Sequence, residues 1–121
     1  MSTSPFFLLS AATTNLTQVT TGYGNLAGGY VLNTNAAARY IKFYSSPPAP
    51  ANGPPVVGTT VPWLTVLLAP SVGTNLSTLM PGFDSVAASG PVWFATTANA
   101  VYTDTTAVGA GDLYITIFKQ G

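Results

Sequence analysis

The chain contains no cysteine, no histidine and no glutamate, and it has only six charged side chains in 121 residues: Arg39, Lys42, Lys119, Asp84, Asp104 and Asp112. Each absence closes a class of chemistry. Without cysteine there is no disulfide, no thiolate nucleophile and no thiolate metal site. Without histidine the side chain that titrates nearest neutrality is missing, and with it the commonest general base and metal ligand. Three isolated aspartates make a glycosidase pair only if folding brings two of them within ~5–10 Å. No catalytic residue, cofactor site or metal site is therefore assigned. The inventory describes a protein that binds and builds rather than one that reacts.

Charge is as scarce as chemistry. Charged residues make up 5% of the chain and the formal net charge is zero, where about 25% is usual. Phosphate recognition needs clustered Lys or Arg; Arg39 and Lys42 are the only near pair, so nucleic acid is not an expected partner. No apolar run approaches the ~20 residues of a membrane span, so no membrane partner is expected. The run Phe6–Leu9 is short and lacks a basic flank, which argues against a signal peptide.

What fills the space is hydroxyl and turn chemistry: eighteen threonines, twelve glycines and ten prolines beside 47% hydrophobic residues. An uncharged surface offers little colloidal repulsion and tends to self-associate. Much of this surface is expected to be covered by copies of the chain or by a larger assembly. The length fits one domain with a sizeable core.

Short Val, Ile, Tyr, Phe and Thr runs between Gly, Pro and Asn clusters predict an all-β antiparallel sandwich of about eight short strands. The expected strands are Leu16–Thr21, Ala27–Asn33, Arg39–Tyr44, Trp63–Leu68, Asn75–Met80, Val92–Thr97, Ala100–Thr103 and Leu113–Lys119. Two alternate with period two. In Arg39–Tyr44, Ile41 and Phe43 share one face, and Tyr40, Lys42 and Tyr44 the other. In Leu113–Phe118, Leu113, Ile115 and Ile117 lie opposite Tyr114, Thr116 and Phe118. Neither strand has a plainly polar face, so each second face is expected to meet something. Trp63–Leu68 is almost continuously apolar and reads as a central strand covered on both sides. Residues 45–62 hold six of the ten prolines and read as a stiff connecting loop. Residues 1–15 form an N-terminal arm or a first strand, alternatives the sequence leaves open, and 16–121 form a single sandwich domain.

Other motifs have bland readings. Asp104 and Asp112 bracket DTTAVGAGD, but a calcium loop carries carboxylates at alternating positions, so this is a turn. Gly22-Tyr23-Gly24 and Gly28-Gly29 do not make a strand–GxGxxG–helix unit. The sequons at Asn15 and Asn75 are accidental in so Asn- and Thr-rich a chain. Trp63 and Trp93 read as core aromatics before they read as a sugar-stacking platform.

Three segments carry a resemblance. Residues 35–44 (NAAARYIKFY), Pro55–Thr59 with Pro62-Trp63, and Ala95–Thr97 followed by Asp104–Asp112 resemble small virion proteins of tailed bacteriophages. Those proteins show a similar AxRYxKFY, then PxVGTxxP, progression. The similarity spans about residues 30–118; the prolines at 47, 48, 50 and 54 depart from it. The resemblance implies a jelly-roll-like β-sandwich on the exterior of a phage head, made in the cytoplasm of the bacterial host. It carries over no catalytic residues. The expected function is capsid decoration (cement): a homotrimer bound to the major capsid protein at three-fold or quasi-three-fold positions, stabilising the expanded lattice by mass action. The alternative is a receptor- or glycan-binding head-fibre or tail module. The expected partner contacts are Phe6, Phe7, Leu8 and Leu9 as an anchoring arm, and Arg39 and Lys42 as polar contacts. On this reading, removing residues 1–10 leaves the domain folded and abolishes capsid binding.

Overall fold

A computed structural model describes residues 3–20, 25–45, 53–79 and 91–120. The strands are β1 (Thr3–Leu9), β2 (Thr17–Gln18), β3 (Asn25–Asn33), β4 (Arg39–Ser45), β5 (Leu64–Leu68), β6 (Gly73–Asn75), β7 (Val92–Thr97) and β8 (Leu113–Gln120). A single helical turn, α1 (Leu76–Leu79), follows β6. They form two four-stranded sheets in the orders β1-β8-β3-β6 and β2-β7-β4-β5, and every pairing is antiparallel. Chain order crosses between the sheets in the double Greek-key pattern of a jelly roll. The expected all-β sandwich is the fold.

The period-two alternation sets the core. Leu113, Ile115 and Ile117 of β8 point inward with Val31 of β3, and meet Ile41, Phe43, Val66, Leu68, Val92 and Phe94 of the other sheet. Phe6 of β1 packs edge-on to Phe94 of β7, with ring centroids 6.1 Å apart, tying the sheets together across the interior. The β3–β8 register slips between Leu26 and Gly29. This bulge needs glycine, because Gly28 sits at φ +107° with Ser77 where a side chain would be.

Four expectations change. Residues 3–9 are a full strand paired to β8 along their whole length, so the first strand, not a free arm, is what the N-terminus forms. Asn75 ends β6 and its Oδ1 accepts the Ser77 N–H at 2.9 Å, capping α1, where a strand to Met80 was expected; Met80 lies outside the described residues. Residues 100–103 form a turn, with Asp104 N donating to Val101 O. Finally, β5 is the edge of its sheet rather than its centre, and its Thr65 and Leu67 are exposed. An almost continuously apolar run predicts two-sided burial, but one of its faces is open.

Candidate functional site

The six residues expected to contact a partner divide by where their strands aim them. On β1, Phe6 and Leu8 point inward against the core, while Phe7 and Leu9 point outward. Arg39 Nε lies 3.2 Å from Asp112 Oδ2, and Nη1 donates to Ala38 O. Lys42 is 0% exposed, with Nζ donating to Val101 O at 2.8 Å. Lys42, fully buried, is corrected from a surface contact to an internal tie, whereas Arg39 keeps part of its side chain exposed beside its Asp112 bond. Lys119 is likewise turned to the chain: Nζ donates to Val19 O and sits 6.0 Å from the Phe6 ring centre.

The outer face of the β1-β8-β3-β6 sheet carries five of the exposed large hydrophobic side chains of the described surface. Opposed residues in antiparallel strands share a face, so the register assembles it row by row. One row is Phe7, Thr116, Tyr30 and Asn75; the next is Leu9, Tyr114, Leu32 and Gly73; Pro5 and Phe118 extend it. Phe7 is 62% exposed, Tyr30 51%, Leu9 47%, Tyr114 44% and Phe118 40%. The end of the Tyr30 ring lies over Gly73, where a Cβ would collide with it. Among the described residues, no charged one stands on this face. Tyr30 and Leu32 escaped the sequence reading, although they alternate with Val31 and Asn33 as visibly as Tyr114 and Phe118 do with their inward neighbours.

The other sheet's outer face is covered from within. Lys42 and Tyr44 of β4 point outward there, as do Ala95 and Thr97 of β7, yet all four are buried. Segment 98–106 supplies the Val101 carbonyl that Lys42 reaches, and Gly58 of the proline-rich loop lies against Thr103 and Thr105 of that segment. The second aromatic face of β4 therefore does meet something: the chain's own loop. Burial pulls the Lys42 ammonium below the usual lysine range, with the Asp104 carboxylate opposing the shift. Burial also pushes the Tyr44 phenol above its ordinary value, and its hydroxyl has no hydrogen-bond partner among the described residues. The cover has apolar points of its own, since Val56, Val101 and Tyr102 are exposed, as is Leu67 of β5. Trp63 stacks on Phe43 with centroids 5.7 Å apart, so one of its faces is already used. An open groove of about 410 Å³ runs along the β5 edge, lined by Leu64–Leu67 and Thr74.

The aspartates serve the loops. Asp112 accepts from Gly109 N at 2.7 Å, Asn35 Nδ2 at 3.1 Å and Arg39 Nε. Asp104 accepts from Asn99 N, Asn99 Nδ2 and Thr106 Oγ1. Each holds its own turn, as the turn reading expects, and Asp84 lies outside the described residues. The two sequon asparagines are also occupied. Asn15 Nδ2 donates to Ala11 O, Thr13 O and Thr96 Oγ1, and Asn75 caps α1. Asn33 and Ser10 do similar work unsignalled by any motif. Asn33 donates to the carbonyls of Ala37, Leu68 and Ala69, and Ser10 Oγ links Gly109 O to Leu113 N. Among the described residues, no three acidic side chains gather as a metal site would require. Compared with known proteins, the chain matches no family model, no curated protein and no solved structure.

Proposed function

We propose that this chain is a structural protein of a virus particle, a capsid decoration protein that binds the major capsid protein on the outside of an icosahedral head and stabilises the lattice. The observation that carries the reading is the uncharged apolar outer face of the β1-β8-β3-β6 sheet. A contiguous face of this kind belongs under a partner rather than in water. The opposite side of the sandwich, with Val56, Leu67, Val101 and Tyr102, offers a second apolar surface. A body with a contact on each side is suited to bridge neighbours, and bridging one lattice state stabilises that state by mass action. Contacts without charge do not weaken as salt rises. The resemblance of residues 35–44, 55–63 and 95–112 to phage virion proteins supports the same assignment. Two-sheet jelly rolls serve in viral capsids and in lectins alike, so the fold class favours neither over the other.

Quantitative mass spectrometry of purified virions tests the reading. A fixed ratio to the major capsid protein, at hundreds of copies per particle, is the expected outcome. A handful of copies would move the protein to a head fibre or tail, where Trp63 and Tyr102 would be examined for glycan stacking. Absence from particles would overturn the virion assignment.

A further inference from the structure

We propose that the outer face of the β1-β8-β3-β6 sheet is covered by the same face of a second copy of this chain, the two related by a twofold axis. The inference deepens the assembly reading and rests on it for the reason such a face exists. It replaces a threefold unit with a pair.

Three observations select a second copy as the occupant. The first is charge. In a twofold contact residue i meets j and j meets i, and a residue on the axis meets its own copy, so a lone charge near the axis would oppose the same charge across the interface. Among the described residues this face has none: Arg39, Lys42, Lys119, Asp104 and Asp112 are all engaged elsewhere by the chain itself. The second is area. Phe7, Leu9, Tyr30, Tyr114 and Phe118 leave on the order of 500 Å² of side-chain surface open, taking ~200–250 Å² for a whole aromatic side chain. Pro5, Leu32 and Thr116 extend that toward the ~800 Å² per partner of a standard specific interface.

The third is shape. The face is a four-stranded sheet whose side chains stand in register rows, and such faces pack on one another ~10 Å apart with strands ~30° off parallel. The molecule already uses that packing between its own two sheets. A twofold pair would repeat it, giving four stacked sheets with the loop-covered sides outward. Those outward sides are then left free for the shell.

Sedimentation equilibrium of the full chain at micromolar concentration is the test. The expected mass is twice the 12.4 kDa of the chain, unchanged between low and high salt. Tyr114→Lys puts an unpaired cation from each copy into the apolar contact and is expected to give a monomer with an unchanged far-ultraviolet spectrum and a cooperative melt. Phe7→Lys is the second variant should the first fail to fold. Tyr102→Lys, on the opposite side, is expected to remain paired. A monomeric wild type, a mass of three chains, or dissociation by Tyr102→Lys but not by the face variants would overturn the proposal. The virion copy number is a separate readout. A monomer found on particles in fixed ratio would remove the pairing and leave the decoration role. A pair absent from particles would do the reverse.

Discussion

Asp112 joins three loops with one carboxylate, which is how a chain with so few charges closes the end of its sandwich. Desolvation alone would raise its pKa, but the hydrogen bonds from Asn35, Gly109 and Arg39 and the Arg39 charge outweigh it, and the group titrates below the ordinary value. Asp104 is held low in the same way by Thr106 and Asn99 against desolvation. A carboxylate depressed by folding binds fewer protons in the folded state. Its contribution is complete above the unfolded value of ~3.9 and is lost as pH falls through the folded value. Thermal melts should therefore hold steady from neutral pH to about 5 and fall below about 4. Asp112→Asn should cost about 2 kcal/mol at neutral pH, as loss of charge-assisted bonds does, and should flatten the acid fall. A variant as pH-sensitive as the parent would show that Asp112 is not the group responsible. Lys42 gives a second comparison at this scale. Lys42→Met keeps the buried stem and loses one hydrogen bond, about 1 kcal/mol. Lys42→Ala also opens a cavity and should cost about 2–4 kcal/mol. Denaturant titration separates the two; equal losses would mean the stem contributes nothing.

At the scale of elements, β1 is the clearest case of tertiary structure overriding a local reading. Phe6–Leu9 looks like an apolar arm because nothing in it says which residues have partners. Pairing with β8 supplies them: Phe6 and Leu8 enter the core, and Ser10 Oγ ties the strand's end to Leu113. Removing residues 1–10 exposes the β8 edge and takes Phe6 away from Phe94. The truncated chain should lose its cooperative melt by circular dichroism, and a melt within a few degrees of the parent would restore the arm. The β3 bulge makes a similar demand. A Cβ at Gly29 would run into the Thr116 carbonyl and the Ile117 backbone of β8. Gly29→Ala should therefore cost about 1–3 kcal/mol, the usual range for an overpacked site, read again from denaturant midpoints.

For the whole molecule, the two sheets are treated unequally. The chain folds its own loops over β2-β7-β4-β5, while among the described residues Phe7, Leu9, Tyr30, Tyr114 and Phe118 of β1-β8-β3-β6 stay exposed. An exposed apolar face beside a covered one is where we propose that a second copy packs. Because the contact holds no charge, association should not fall between low and high ionic strength; a tenfold loss of affinity over that range would point to an electrostatic partner instead. The unpartnered Tyr44 hydroxyl lies beneath the covered side. Tyr44→Phe removes a buried polar atom that has no described bond, so its melting temperature should match or exceed the parent's. A marked loss would reveal a partner for the hydroxyl.

Composition and alternation determined the class of this fold. Ile41 and Phe43, then Leu113, Ile115 and Ile117, recur at the spacing that only a pleated strand turns into one apolar face, and Gly, Pro and Asn punctuate at the intervals of short strands. The same residues named Tyr114 and Phe118 as a second, unpolar face. Strand order was not legible, because antiparallel pairing joins partners as distant as Thr3 and Gln120, and no single segment encodes its neighbour. Nor was it legible that Lys42 lies buried beneath segment 98–106, or that β5 is an edge. Burial belongs to the sum of what surrounds a side chain, whereas sequence records only the side chain. The alternation of β8 therefore determined that it has two apolar faces; the tertiary structure alone decided that Leu113, Ile115 and Ile117 are buried and that Tyr114 and Phe118 are exposed.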